Sequence, residues 1–319
     1  MPGSPGGGHG LAYPQNLHLG IALFRLLDGD SLPGSKLLFS GYYASLLLGC
    51  MVFWKRMGLP TPVMAAGGLA MASIPIVFFH STTGYANLPF TTYLVLGALS
   101  LTSGLQAGRV GEIAIGSILL GLAAWTRPEG GAFAALGILC VCAANVRLLR
   151  RTRVLASILV PFTLLAGMWA AFGAGYQAAD EMGETLRAFL RGFPEAAISA
   201  EAAKVLLGYA SSSFAAFGTW GFIVLLVVGL GAISLATRKE GRHPVLLSAA
   251  IAALAWLLAA AAMLYAAWPS HPDFLLFLAV SFDRAMFPGA LLMLWVVVAA
   301  SGMAEGMGPV AVSGARDAR

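Results

Sequence analysis

The feature that most constrains this chain is a succession of long apolar runs separated by short polar breaks. A helix rises about 1.5 Å per residue, so roughly 20 apolar residues cross the ~30 Å hydrocarbon core of a bilayer. Nine such runs are predicted, at 36–54, 61–80, 88–106, 110–126, 131–146, 154–175, 214–236, 245–267 and 286–304. The members of the pair 110–126 and 131–146 are short, and read either as two tilted spans or as one broken re-entrant element. Of the 319 residues, 59% are apolar and only 10% charged. A water-soluble domain carries roughly 25% charged residues, so lipid is the expected solvent. The expected fold class is all-α: a polytopic transmembrane helix bundle of about nine spans, with short interfacial helices on the outer side.

The distribution of charge sets the orientation. Of the 19 Lys and Arg, 12 fall on one side of the predicted bundle and seven on the other. Placing Lys55 and Arg56 in the cytoplasm puts Arg109, Arg147, Arg150, Arg151 and Arg153 there too, as the positive-inside rule favours. Clusters between apolar runs do not form a groove-binding stripe, so the net charge of +5 is no sign of a nucleic-acid partner. The expected organisation is an outer-side segment 1–34 with an interfacial helix over 16–27, a membrane domain 35–306, and a cytoplasmic tail 307–319. Within the membrane domain, an outer loop 176–213 is expected to hold amphipathic helices. An N-terminus on the outer side leads to the expectation of a missing upstream helix. Cys50, Cys140 and Cys142 all lie in apolar runs and read as small buried hydrophobes. No metal-ligand spacing, Gly-rich phosphate loop or cysteine-nucleophile pattern is present.

Four polar stretches are candidates for chemistry. In Trp125-Thr126-Arg127-Pro128-Glu129-Gly130, two ionisable residues sit between apolar segments. Such groups at membrane depth are costly unless paired or near water. Arg127 and Glu129 read either as a local ion pair in a plain turn or as a site in which Arg127 binds a phosphate or sugar oxygen. Pro128 is expected to stop the helix and Gly130 to allow the turn. In Phe282-Asp283-Arg284-Ala285-Met286-Phe287-Pro288, Arg284 reads either as a snorkelling residue paired to Asp283 or as a second phosphate clamp at the start of the last span. His80 to Pro89 gathers polar groups, including Tyr85 and Asn87, at one outer turn; a lone His there is more often a satisfied loop residue than a ligand. Tyr13-Pro14-Gln15-Asn16-Leu17-His18 is either a simple helix start or the edge of a substrate groove, with Tyr13 and His18 lining it.

Taken in order, these stretches resemble the polytopic C-type glycosyltransferases, which include protein O-mannosyltransferases and lipid A sugar transferases. The similarity lies in Tyr13-Pro14 through Leu27, Gly84 to Pro89, Thr126 to Gly130, and Arg284 with Pro288, over roughly 13–300. The resemblance implies an inverting transfer of a sugar from a polyprenyl-phosphate carrier to a lipid or glycan acceptor outside the cytoplasm. It also implies a multi-pass protein of the bacterial cell (inner) membrane and an outer-loop carboxylate as general base, compatible with a divalent cation as cofactor. Two departures stand out. The family's first span and acidic outer loop have no counterpart here, and Asn87 stands where that family has Asp. The expectation is therefore either a piece of a longer enzyme or a divergent member, and the catalytic residue is left unassigned. Two other readings compete: a lipid or small-molecule transporter or flippase, and a non-catalytic membrane scaffold.

Overall fold

The computed structural model describes residues 32–82, 85–127, 129–175, 199–221, 244–266 and 273–304, together with 21–23, 26 and 227. Among them every regular element is helical. The long helices are α1 (Leu32–Arg56), α4 (Asn87–Ala107), α7 (Thr152–Gly175), α10 (Pro244–Ala266) and α11 (Phe274–Ala304). The shorter ones are α2 (Thr61–Ala72), α3 (Pro75–Thr82), α5 (Val110–Ala124), α6 (Gly130–Ala144), α8 (Ala200–Ala215) and α9 (Phe217–Trp220), with a 3₁₀ turn over Val146–Arg150.

Among the described residues five helices are long and apolar enough to cross a membrane, and six if the bent pair α2–α3 counts as one. Apolar side chains such as Leu48, Leu69, Leu139, Leu164 and Leu258 stand more than half exposed around the bundle. A solvent of lipid tails accounts for such a surface.

The expected count of nine is not confirmed, and particular elements differ from their expected form. The run 61–80 is not one rod: α2 and α3 meet at 64°. Pro75 disfavours a helical conformation at Ile74 before it and has no N–H to continue the ladder. Helices α5 and α6 have 15 residues each, about 22 Å, which is short of the bilayer core. The expected start of a span at residue 214 falls at the end of α8, where Ala216 turns extended; most of 214–236 lies outside the described residues. The last helix begins at Phe274 rather than 286, so Asp283 and Arg284 sit inside a helix with Pro288 in its interior. The proline marks no start; it only removes the hydrogen bond to the Arg284 carbonyl four residues back. Of the expected interfacial helix 16–27, residues 21–23 and 26 are described, and they are helical.

Helix α4 is the hub, with 83% of its apolar window buried against 17% for peripheral α7. It packs on α1, α3, α5, α6, α10 and α11. The α4–α5 contact is made by glycines. A Cβ on Gly116 would lie 2.5 Å from the Leu101 nitrogen, and one on Gly104 2.7 Å from the Ile113 nitrogen. Where lipid supplies no hydrophobic drive between helices, close backbone approach over small residues supplies the attraction instead. Buried indoles tie other pairs: Trp54 and Trp295 stack at 6.3 Å and donate to the Trp295 and Cys50 carbonyls, while Trp256 donates to Phe133 O at 2.8 Å.

The bundle has two unlike ends. At one, α1 and α4 both stop on a left-handed glycine, Gly58 (φ 78°) and Gly108 (φ 66°). The next residue's N–H reaches back to Trp54 O and Gly104 O respectively, the Schellman closure. Lys55, Arg56, Arg109, Arg147, Arg150, Arg151 and Arg153 cluster here, with Glu112 the one described acid. This is the basic end. At the other, mixed-charge end lie Lys36, Arg127, Lys204 and Arg284 with Glu129, Glu201, Asp273 and Asp283. The hairpin of α5 and α6 reaches both: Asn145 meets Gln106 at the basic end of α4, and Arg127 meets Asn87 at its other end.

Candidate functional site

The mixed-charge end brings together residues from five helices and two connecting turns. Asn87 opens α4, and its buried amide oxygen accepts a hydrogen bond from Arg127 at 2.7 Å. Arg127 sits in the turn between α5 and α6, its guanidinium 5.3 Å from the Phe90 ring centroid and ion-paired with Glu129. These two side chains are 18% and 22% exposed, so the pair is largely withdrawn from water. Gly130 makes the turn possible by close approach rather than by a left-handed backbone: a Cβ there would strike the Ala123 carbonyl oxygen.

From Asn87 the contacts continue to α3 and α11. Its side-chain nitrogen lies 3.4 Å from Nε2 of His80, a residue only 2% exposed. The His80 ring lies edge-on to Tyr85 at 5.9 Å and tilted on Phe287 at 5.6 Å. Tyr85 in turn lies beneath the Arg284 guanidinium, 4.9 Å from its ring centroid. One connected path therefore runs from Glu129 through Arg127, Asn87, His80 and Tyr85 to Arg284.

Asp283 does not pair with Arg284, contrary to the simpler expectation for adjacent opposite charges. Its Oδ1 accepts hydrogen bonds from Ser213 Oγ on α8 and from Trp220 Nε1 at 2.9 Å. Successive residues on a helix point about 100° apart, so the carboxylate turns towards α8 and α9 while the guanidinium turns towards Tyr85. Tyr209 packs beside this arm on Phe282; burial pushes its phenol up, and the Asp283 carboxylate adds to the shift. Among the described residues no carboxylate lies within ion-pair distance of Arg284.

Of the residues expected to bind substrate, Arg127, Glu129, Tyr85, Asn87 and Arg284 therefore meet at one end, and Asp283 adjoins them facing away. Tyr13 and His18 lie outside the described residues. His80, Phe90, Phe287, Ser213 and Trp220 were not among the expected site residues. His80 carried a signal, an ionisable residue closing an apolar run, but its polar followers suggested a loop. The partners of Asp283, 63 and 70 residues away, have no local trace. Among the described residues no three of His, Cys, Asp and Glu gather closely enough to hold a metal ion.

Two guanidiniums on aromatic faces form a site suited to an anion. Arg127 is paired with Glu129, whereas Arg284 has no carboxylate partner among the described residues. Phosphate matches such a pair, since guanidinium offers several N–H donors in one plane and keeps its charge. Comparison with protein-family models, with curated proteins and with solved structures finds no match in any of the three.

Proposed function

We propose that the mixed-charge end faces the outside of the membrane and binds the phosphate headgroup of a polyprenyl-linked sugar. On this reading the chain is a membrane glycosyltransferase, or part of one, that serves an extracytoplasmic lipid or glycan acceptor. The observation that carries the proposal is the run of contacts through Asn87, His80 and Tyr85 that joins Arg127 to Arg284, distant in sequence. The resemblance of Gly84–Pro89 and Thr126–Gly130 to the C-type glycosyltransferases supplies the donor class. The basic opposite end supports a cytoplasmic placement there, in a multi-pass protein of a bacterial cell membrane.

The chemistry follows from the leaving group. A departing polyprenyl phosphate already carries charge, so it needs cationic stabilisation rather than strong acid assistance. Arg284 supplies the charge, and Arg127, locked by Glu129 and Asn87, supplies directed donors. Neither described carboxylate nearby is assigned as the base for the acceptor hydroxyl. Glu129 is engaged with Arg127, and Asp283 with Ser213 and Trp220.

The test is binding of a polyprenyl monophosphate by the full chain in nanodiscs. Arg284→Ala should weaken it by about ten- to hundredfold, the range for losing a charged hydrogen-bonding partner. Arg127→Ala should weaken it less, because its charge is already balanced. Unchanged binding by both variants would contradict the proposal. A second reading, a lipid or small-molecule transporter, is favoured by one feature: the 64° break between α2 and α3, a form transporters use around their substrates. Uptake into sealed vesicles that survives Arg284→Ala would favour it instead.

A further inference from the structure

The Asn87 amide is held from both sides, and this determines the hydrogen bonding of a third group. Its oxygen accepts from Arg127 at 2.7 Å, so the other amide atom is the NH₂. That nitrogen has only N–H to offer, and it lies 3.4 Å from His80 Nε2. Nε2 is therefore the acceptor, and a neutral His80 carries its proton on Nδ1. Nδ1 is buried and has no hydrogen-bond partner among the described residues. A buried N–H left unmade costs about as much as a lost hydrogen bond, so native structures rarely keep one without reason. Around the ring stand Phe79, Tyr85 and Phe287, which offer ring faces and edges to it. Tyr85, on one side of the imidazole, also carries the Arg284 guanidinium.

We propose that the Nδ1–H of His80 is an anion-anchoring donor that binds a phosphate oxygen alongside Arg284, with Asn87 as the positioning residue that sets its tautomer. The inference rests on the phosphate-binding reading of the same site and assigns a further residue to it. The arrangement explains why an amide serves at position 87. A carboxylate there would engage Arg127 but would have no N–H with which to hold Nε2 as an acceptor. It also explains why a histidine tolerates such burial between two cations: as a neutral ring it adds a donor without adding charge.

The experiment uses the full chain in nanodiscs with selectively ¹⁵N-labelled histidine, the His80 signals being assigned by comparison with the spectrum of His80→Asn. In the wild type the His80 ring should be protonated at Nδ1 and not at Nε2. That Nδ1 signal should move when polyprenyl monophosphate is added, and stay in place with the uncharged polyprenol. Inorganic phosphate is the second probe. A response to it as well would support the donor role and indicate that the phosphate group alone suffices; a response to the lipid only would support the role for a membrane-borne headgroup. His80→Phe, which keeps the ring shape and removes the donor, should weaken polyprenyl monophosphate binding by about ten- to hundredfold. His80→Asn, whose amide nitrogen stands near the position of Nδ1, should retain most of the affinity. Wild-type affinity in His80→Phe beside a loss in Arg284→Ala would overturn the inference while leaving the phosphate reading intact. Wild-type affinity in both would overturn the two together. Protonation of His80 at Nε2 in the wild type, or an equal response to polyprenol, would overturn it without recourse to any variant.

Discussion

The two ends of this bundle use the same residue types to opposite effect. At the basic end, seven cations face one described acid, and its ion pairs lie partly in water: Arg56 is 46% exposed where it meets Glu112, and Arg109 lies 3.6 Å from the same carboxylate. Two helices there close on Gly58 and Gly108, and the Asn145 side chain donates to Val141 O at 2.7 Å and to Ser248 at 3.0 Å. At the mixed-charge end the described charges balance; Arg127 and Arg284 lie over Phe90 and Tyr85, as Arg56 lies over Phe53 at the basic end, and a buried nitrogen of His80 has no hydrogen-bond partner among the described residues. A helix bundle needs closure and orientation from its ends, and the basic end supplies both. The other end retains polar groups that closure does not require, which is where a ligand is expected to act.

The contrast can be broken by substitution. The largest effect is expected at Gly130. Any side chain there meets the Ala123 backbone carbonyl rather than a movable side chain, so Gly130→Ala should cost upwards of about 2 kcal/mol. Thermal unfolding in detergent would detect this as a marked loss of folded protein. At the basic end, Gly108→Ala has open space around the new methyl and only a left-handed backbone to strain. It should cost about 1 kcal/mol, and the same unfolding measurement would rank the two. Equal losses would mean that the turn carrying Arg127 is no more tightly built than an ordinary helix end. The smallest effect is expected from Arg56→Ala. An exposed ion pair contributes less than about 1 kcal/mol, and Glu112 keeps Arg109 as a partner. Both melting temperature and polyprenyl-phosphate binding should be almost unchanged; a loss of binding would tie the two ends together and blur the comparison.

Much of this division is legible in the sequence, for physical reasons that also mark its limits. Long apolar runs have few alternatives to helix in lipid, so α1, α4, α7 and α10 fall close to their expected positions. Polar residues between such runs must gather where they can pair or be hydrated, which is why Tyr85, Asn87, Arg127 and Arg284 come together. Proline is the less dependable sign. Pro75 breaks a run that hydropathy alone reads as continuous, while Pro288 lies inside a helix that hydropathy reads as beginning there. Beside Pro288, helix α11 packs closely on α10, where a Cβ on Gly289 would lie 2.7 Å from Leu257 Cγ. The turn of Asp283 towards Ser213 and Trp220, the indole-to-carbonyl bonds and the tautomer of His80 all depend on residues brought close only by packing.

The most direct test of the central claim, that the anion-binding groups share one face of the membrane and the basic cluster the other, is cysteine labelling in sealed vesicles. In a background free of Cys50, Cys140 and Cys142, single cysteines at Tyr85 and Asp273 should react with an impermeant maleimide from one side only. Cysteines at Arg109 and Arg153 should react only from the opposite side. Labelling of positions 85 and 273 from different sides, or of 85 and 153 from the same side, would contradict the account.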